Sequence, residues 1–215
     1  MTVAAKPFNP ACRACPRLAD FLDQVRAAHP DYHAAPVPDF GDPVARLLIV
    51  GLAPGMHGAN RTGRPFTGDH AGILLYQTLH EFGFATDPES LSRDDGLELK
   101  QARITNAVRC LPPRNKPTPA EVRTCSPYLR DDLASLPPRS VVLALGRIAH
   151  EAVLRALDQR PAAYPFAHAA EHVLGPDLML VDSYHCSRYN TQTRRLTPTM
   201  FQDVFRRLRV LLEAA

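Results

Sequence analysis

No run in this 215-residue chain approaches the roughly eighteen consecutive apolar residues of a membrane-spanning helix, so no membrane association is expected. The N-terminal MTVAAKPFNPAC has no apolar core of the signal-peptide kind, and a cytoplasmic location is expected. There is no internal repeat and no low-complexity tract, which argues against solenoid and linker-like architectures. Net charge is only +3, too small to identify a partner. No His-x-Glu precedes a Pro-Cys-x-x-Cys, so zinc deaminase chemistry fits poorly.

What is present suits one packed core. Hydrophobic residues make up 45% of the chain, and its length fits a single domain over residues 1–215. The 21 prolines, some paired as in Pro112-Pro113 and Pro137-Pro138, predict stiff loops rather than disorder. The organising stretch runs from Leu47 to Gly72. A short β-branched apolar start reads as a buried strand, and it breaks into a loop with five glycines and two prolines. Helical spacing of Ile73, Leu74, Leu75, Tyr76, Leu79 and Phe82 follows. In open α/β sheets ligands bind at such strand ends, and this loop exceeds the usual βα connection.

Further strands are predicted at 103–108, 140–145 and 178–183. Helices are predicted around 18–25, 70–83, 119–134, after Gly146, and over 198–212; Pro36 to Pro43 reads as linker and 87–96 as loop. Thr118-Pro119-Ala120-Glu121 supplies an N-cap, a proline at the first helical position and a capping-box acid. Strands alternating with helices predict an α/β three-layer sandwich around a mainly parallel four-stranded sheet. The polar loops after Val50, Val108 and Ser183 then converge on one sheet edge.

The cysteines and arginines carry the next signals. Cys12 and Cys15 have CxxC spacing, and Cys110 and Cys125 bracket a loop and the start of a helix. Four thiolates suit zinc or an iron–sulfur cluster, and spacing does not decide between them; ordinary buried thiols are the alternative for the distal pair. Cys186 reads as a neighbour of His185 rather than a fifth ligand. Between Arg188 and Arg209 stand six arginines against the single acid Asp203. That suits a phosphate-facing edge, with a solvated helix face as the alternative for Arg206, Arg207 and Arg209.

Gly51-Leu52-Ala53-Pro54-Gly55, Gly63-Arg64-Pro65-Phe66-Thr67-Gly68-Asp69, Thr105-Asn106 before Cys110, and His185-Cys186-Ser187-Arg188-Tyr189-Asn190-Thr191-Gln192-Thr193 together resemble the family 5, or type b, uracil-DNA glycosylases. The resemblance extends from Cys12 to the last helix. It implies a uracil-DNA glycosylase-like fold and a [4Fe-4S] cluster on Cys12, Cys15, Cys110 and Cys125. The implied partner is DNA containing deaminated bases, bound by a monomer. The implied reaction is hydrolysis of the N-glycosidic bond to leave an abasic site, which initiates base excision repair and requires the nucleotide to flip out of the stack.

Roles follow from the resemblance residue by residue. Phe66 offers the base a stacking face, and Asn106 an amide to read the O4 and N3–H of uracil. His185 would donate to O2 as charge develops on the leaving base, an effect worth about 3–4 kcal/mol per donor in comparable oxyanion sites. Gly51, Ala53 and Gly55 would lie against the substrate. Ser187, Arg188, Asn190, Arg194 and Arg195 would contact DNA. Ala53 and Gly55 stand where uracil-specific relatives carry an acid and a bulky blocker. Ala53 cannot activate water, so Asp69 becomes the candidate for positioning it or for stabilising an oxocarbenium-like sugar; an N-cap is its other reading. Gly55 implies a roomy pocket that admits hypoxanthine, xanthine or etheno-cytosine. Cys186 replaces the usual proline and loosens the His185 loop. The cluster is expected to be structural. Competing readings are a uracil-restricted family 4 enzyme, opposed by the missing acid, and a non-catalytic module binding single-stranded or damaged DNA.

Overall fold

A computed structural model describes residues 8–213. In chain order the elements are α1 (Pro16–Ala28), β1 (Phe40–Gly41), β2 (Leu47–Gly51), α2 (Ala59–Thr62), α3 (His70–Glu81), β3 (Ala102–Asn106) and α4 (Pro119–Ala134). Then come β4 (Ser140–Leu145), α5 (Arg147–Ala156), β5 (Glu171–Gly175), β6 (Leu178–Ser183), α6 (Arg188–Gln192) and α7 (Pro198–Glu213). Among these residues no helix is long and apolar enough to cross a membrane.

The strands form one sheet in the order β1-β3-β2-β4-β6-β5. Its centre is the expected parallel set, β3, β2, β4 and β6. Two antiparallel edges extend it: β1 against β3, and β5 against β6. β1 is two residues long and lies inside the proline-rich stretch read as linker, where no period-2 pattern can show. β5 is half exposed and short of apolar residues, so it gives no strand signal before its hairpin partner is known.

The side chains of one strand feed both layers. In β2, Leu47 and Ile49 join the core beneath α3 and α7, while Leu48 and Val50 join the core beneath α4 and α5. β4 repeats the division, with Val141, Leu143 and Leu145 on one side and Val142 and Ala144 on the other. Every residue of β2 and β4 is buried, as expected of parallel strands covered on both faces. A Leu→Ala change in either strand costs about 2–5 kcal/mol. The capping box predicted for α4 is formed: Thr118 Oγ1 accepts from Glu121 N at 3.2 Å, and Glu121 Oε2 accepts from Thr118 N at 2.7 Å.

This strand order puts a topological switch at β2. The chain leaves β2 for β3 on one side, and then crosses to β4 on the other. A crevice must therefore open beyond the carboxyl ends of β2 and β4.

Candidate active site

A cavity of about 710 Å³ occupies that crevice. Ala53, Gly55 and Phe66 line it from the long loop after β2, Asp69 from the start of α3, Asn106 from the end of β3, and His185 and Arg188 from the chain beyond β6. Three loops were expected to converge, and a fourth joins them: Leu145 to Ala149, at the end of β4 and start of α5, forms the remaining wall. The strand stop at Gly146 was the available signal for it, since a parallel strand in mid-sheet must present its end to the same edge. Asn115 also reaches the cavity, carried by a proline-rich loop in which Arg114 and Asn115 both adopt positive φ.

Phe66 serves two readings at once. It belongs to the core and lies against the cavity, with φ of 54° in the left-handed region. The surrounding loop holds that conformation: Tyr76 Oη donates to Pro65 O at 2.8 Å, and buried Arg64 bonds Thr67, Ser90 and Asp95. The Phe66 ring stacks toward His185, centroids 5.9 Å apart and planes 30° apart. Gly51 is buried behind this pair and does not line the cavity, contrary to its expected contact with substrate. A Cβ at Gly51 would come within 2.4 Å of Asn106 Oδ1 and 2.6 Å of the Phe66 ring. Its role is to let those two side chains close over the end of β2.

Asp69 fills its helix-cap reading and also lines the cavity. Oδ1 caps α3 by accepting from Gly72 N at 3.0 Å. Oδ2 turns to the glycine loop, where a Cβ at Gly58 would lie only 2.3 Å away. Only glycine at 58 leaves the carboxylate this place. Burial pushes the Asp69 carboxyl above its ordinary range, against the opposing pull of the cap hydrogen bonds.

Two polar atoms at the cavity have no partner in the protein. Asn106 Oδ1 and His185 Nδ1 are both shut off from solvent and unbonded. Burial holds the His185 imidazole down to about 4, so it is neutral at physiological pH. The loosening expected from Cys186 is offset. Asn190 Nδ2 donates to His185 O at 2.8 Å, and Ser187 caps α6. Cys186 itself is wholly buried in the core under the site, and burial pushes its thiol up.

The residues expected to face DNA are placed as follows. Ser187 and Arg188 line the cavity, and Arg195 lies over the Tyr184 ring at 4.6 Å. Arg194 is exposed. Asn190 Nδ2 uses one of its two N–H donors on the His185 carbonyl and so helps to hold the loop. The last three arginines are committed elsewhere. Arg206 pairs with Asp203, Arg207 chelates Glu171 at 2.6 and 3.0 Å, and Arg209 packs over Phe84 and bonds Phe82 O. Their sequence proximity to Arg188 hid these partners, and none of the three lines the cavity.

The four cysteines lie together away from the cavity. Cys12, Cys15, Cys110 and Cys125 line one small apolar pocket with Leu18, Val108, Arg109 and Tyr128. Burial pushes the Cys110 thiol up to about 12 and Cys125 to about 11, and the neighbouring thiols push in the same direction. Among the described residues no three of these sulfur atoms lie within 4.8 Å of one another. A single tetrahedral zinc, with Zn–S near 2.3 Å, would hold thiolates about 3.8 Å apart. The four thiols form one donor set, of the kind that zinc or an iron–sulfur centre would take.

Comparison with known proteins agrees with this geometry. Residues 38–209 match the family model described as the uracil DNA glycosylase superfamily. A type-5 uracil-DNA glycosylase from Thermus thermophilus is 53% identical over 199 residues, 90% of either chain. Type-5 relatives from Mycobacterium leprae and Mycobacterium bovis are 48% and 46% identical, covering 91% and 93% of this chain and 89% and 78% of theirs.

Proposed function

The chain belongs to the uracil-DNA glycosylase superfamily, and we propose that it removes uracil and other deaminated bases from DNA by the following division of labour. A uracil nucleotide flipped from the stack enters the cavity, and its base lies on Phe66. Asn106 reads the base edge, because its buried Oδ1 is the unpaired acceptor that an imide N–H needs. The His185 ring, neutral and aimed at the cavity, donates to O2 as negative charge develops on the leaving base. A neutral donor does this without first surrendering a charge to the substrate. Asp69, the carboxylate in the cavity wall, orients water and faces the positive charge growing on the sugar.

The observation that carries this reading is that Asn106 and His185, each with an unsatisfied buried side-chain atom (Oδ1 and Nδ1), line the same cavity. Buried polar groups are left unpaired where a ligand completes them. Nothing bulky stands at Ala53 or Gly55, and the cavity volume leaves room for purines, which supports hypoxanthine, xanthine and etheno-cytosine as further substrates. The working unit of this reading is a monomer. The four cysteines would hold a [4Fe-4S] cluster, which when bound supplies a structural clamp between the CxxC segment, the loop after β3 and α4.

The test is a panel of oligonucleotides carrying uracil, hypoxanthine, xanthine, etheno-cytosine or thymine, treated with alkali after incubation. Cleavage is expected at uracil and at the larger deaminated bases, and not at thymine. Cleavage at uracil alone would reject the broad specificity, and none at all would reject glycosylase action.

A further inference from the structure

Arg109 is a buried cation with two unused donors. The residue is 2% exposed and follows β3 immediately before Cys110. Nη2 donates to Asp132 Oδ2 at 2.5 Å, while Nε and Nη1 are shut off from solvent with no hydrogen-bond acceptor. Leaving such donors unsatisfied costs about 1–3 kcal/mol, more when the group is charged. The nearest other feature is the Phe8 ring, whose centre lies 5.6 Å from the guanidinium carbon. A ring face attracts a cation but accepts no more than a weak hydrogen bond.

The surroundings identify the missing acceptor. Arg109 lines the pocket of the four cysteines, and it is the one charged side chain among the described residues lining it. Its backbone N–H already donates to Cys125 Sγ at 3.3 Å. The Asp132 carboxylate that holds Arg109 Nη2 also accepts from Thr105 Oγ1 at 2.8 Å. A [4Fe-4S] centre with four thiolates carries net negative charge, and N–H donors to its sulfurs and nearby charge set its reduction potential.

We infer that Arg109 is the electrostatic partner of the cluster, donating Nε–H and Nη1–H to its sulfurs. The inference rests on the cluster reading above. A fixed positive charge favours the more reduced, more negative state, so Arg109 raises the reduction potential of the centre. The same side chain joins the centre to the base-reading strand, because Arg109, Asp132 and Thr105 form one chain of contacts that ends beside Asn106. Arg109 is thus a positioning residue, not a catalytic one.

The experiment is a redox titration of the purified holoprotein, each sample qualified by its iron and acid-labile sulfide content. The Arg109→Met/Asp132→Asn variant removes both charges of the buried pair together, so that no lone carboxylate is left buried. Arg109→Lys keeps the charge and loses the fork. The neutral double variant is expected to take up one electron at least tenfold less favourably, a shift of about 59 mV to lower potential. Its visible absorbance should also decay faster in air. Arg109→Lys should shift part of the way, and it decides the matter alone if the double variant does not fold. Iron-loaded variants with the wild-type potential would overturn this inference and leave Arg109 as an ion pair packed on Phe8. Wild-type protein without iron and sulfide would overturn the cluster reading itself.

Discussion

Two histidines, one on α5 and one in the loop beyond β6, show how burial and pairing differ between the fold and the candidate site. His150, on α5, is 1% exposed and has both ring nitrogens bonded: Nδ1 to Asp182 Oδ1 at 2.7 Å and Nε2 to Tyr164 O at 2.9 Å. The second oxygen of Asp182 accepts from His172 Nε2 at 3.1 Å, which ties β5 and α5 to β6. His185, three residues beyond Asp182, lies at the cavity with its buried Nδ1 unbonded. One histidine has spent its hydrogen-bonding capacity on the fold, and the other holds it in reserve. Pairing, more than burial or residue type, is what distinguishes the two.

Removing the shared carboxylate should have the largest effect. Asp182→Ala leaves two buried imidazoles without their acceptor and is expected to cost about 3–5 kcal/mol of stability, read from denaturant unfolding. Wild-type stability would break the comparison. His185→Ala should do the reverse, lowering the single-turnover rate on uracil DNA by about 10²–10³-fold with an unchanged or higher unfolding midpoint. A parallel loss of rate and stability would place His185 with His150.

Gly58→Ala sharpens the contrast without touching either histidine. The new Cβ forces Asp69 Oδ2 aside, and a displacement of this size is expected to slow the chemical step by about 10²-fold with little change in KM. A normal rate would leave Asp69 as a helix cap alone.

The smallest effect is on pH dependence. The unfolded His185 titrates near 6.5 and the folded residue at about 4, so between those values the unfolded chain binds the extra proton. Its contribution to stability is therefore intact above pH 6.5 and is lost as pH falls toward 4. Asp69 works in the opposite sense, with its folded carboxyl held above the unfolded value. Unfolding of wild type and His185→Ala compared from pH 7 to 4 isolates the histidine, and the variant should lose less on acidification. In activity, the acid limb should belong to Asp69 and disappear in Asp69→Asn.

Much of this was legible in the chain because it rests on local patterns. The central strands β2 and β4 carry continuous apolar runs, and the Thr118 cap needs only four residues. The cysteines and Phe66 were visible through CxxC spacing and a proline-glycine loop. What stayed hidden depends on distance in sequence. That α5 begins at the cavity follows only from strand order, and Gly51 can be assigned only once Phe66 and Asn106 are seen to close over it. The fates of Arg206, Arg207 and Arg209 depend on Glu171 and Phe84, which no spacing rule connects to them. His150, His172 and Asp182 come from three elements and leave no motif.

The unbonded atoms of the cavity also make the resting protein less stable than its fold allows. Each buried, unpaired acceptor is a folding penalty that a bound base would lift. Thermal denaturation can thus report occupancy directly. Free uracil, which has no glycosidic bond left to cleave, should raise the melting temperature of this protein, and substitutions that silence the reserve at Asn106 or His185 should abolish that rise.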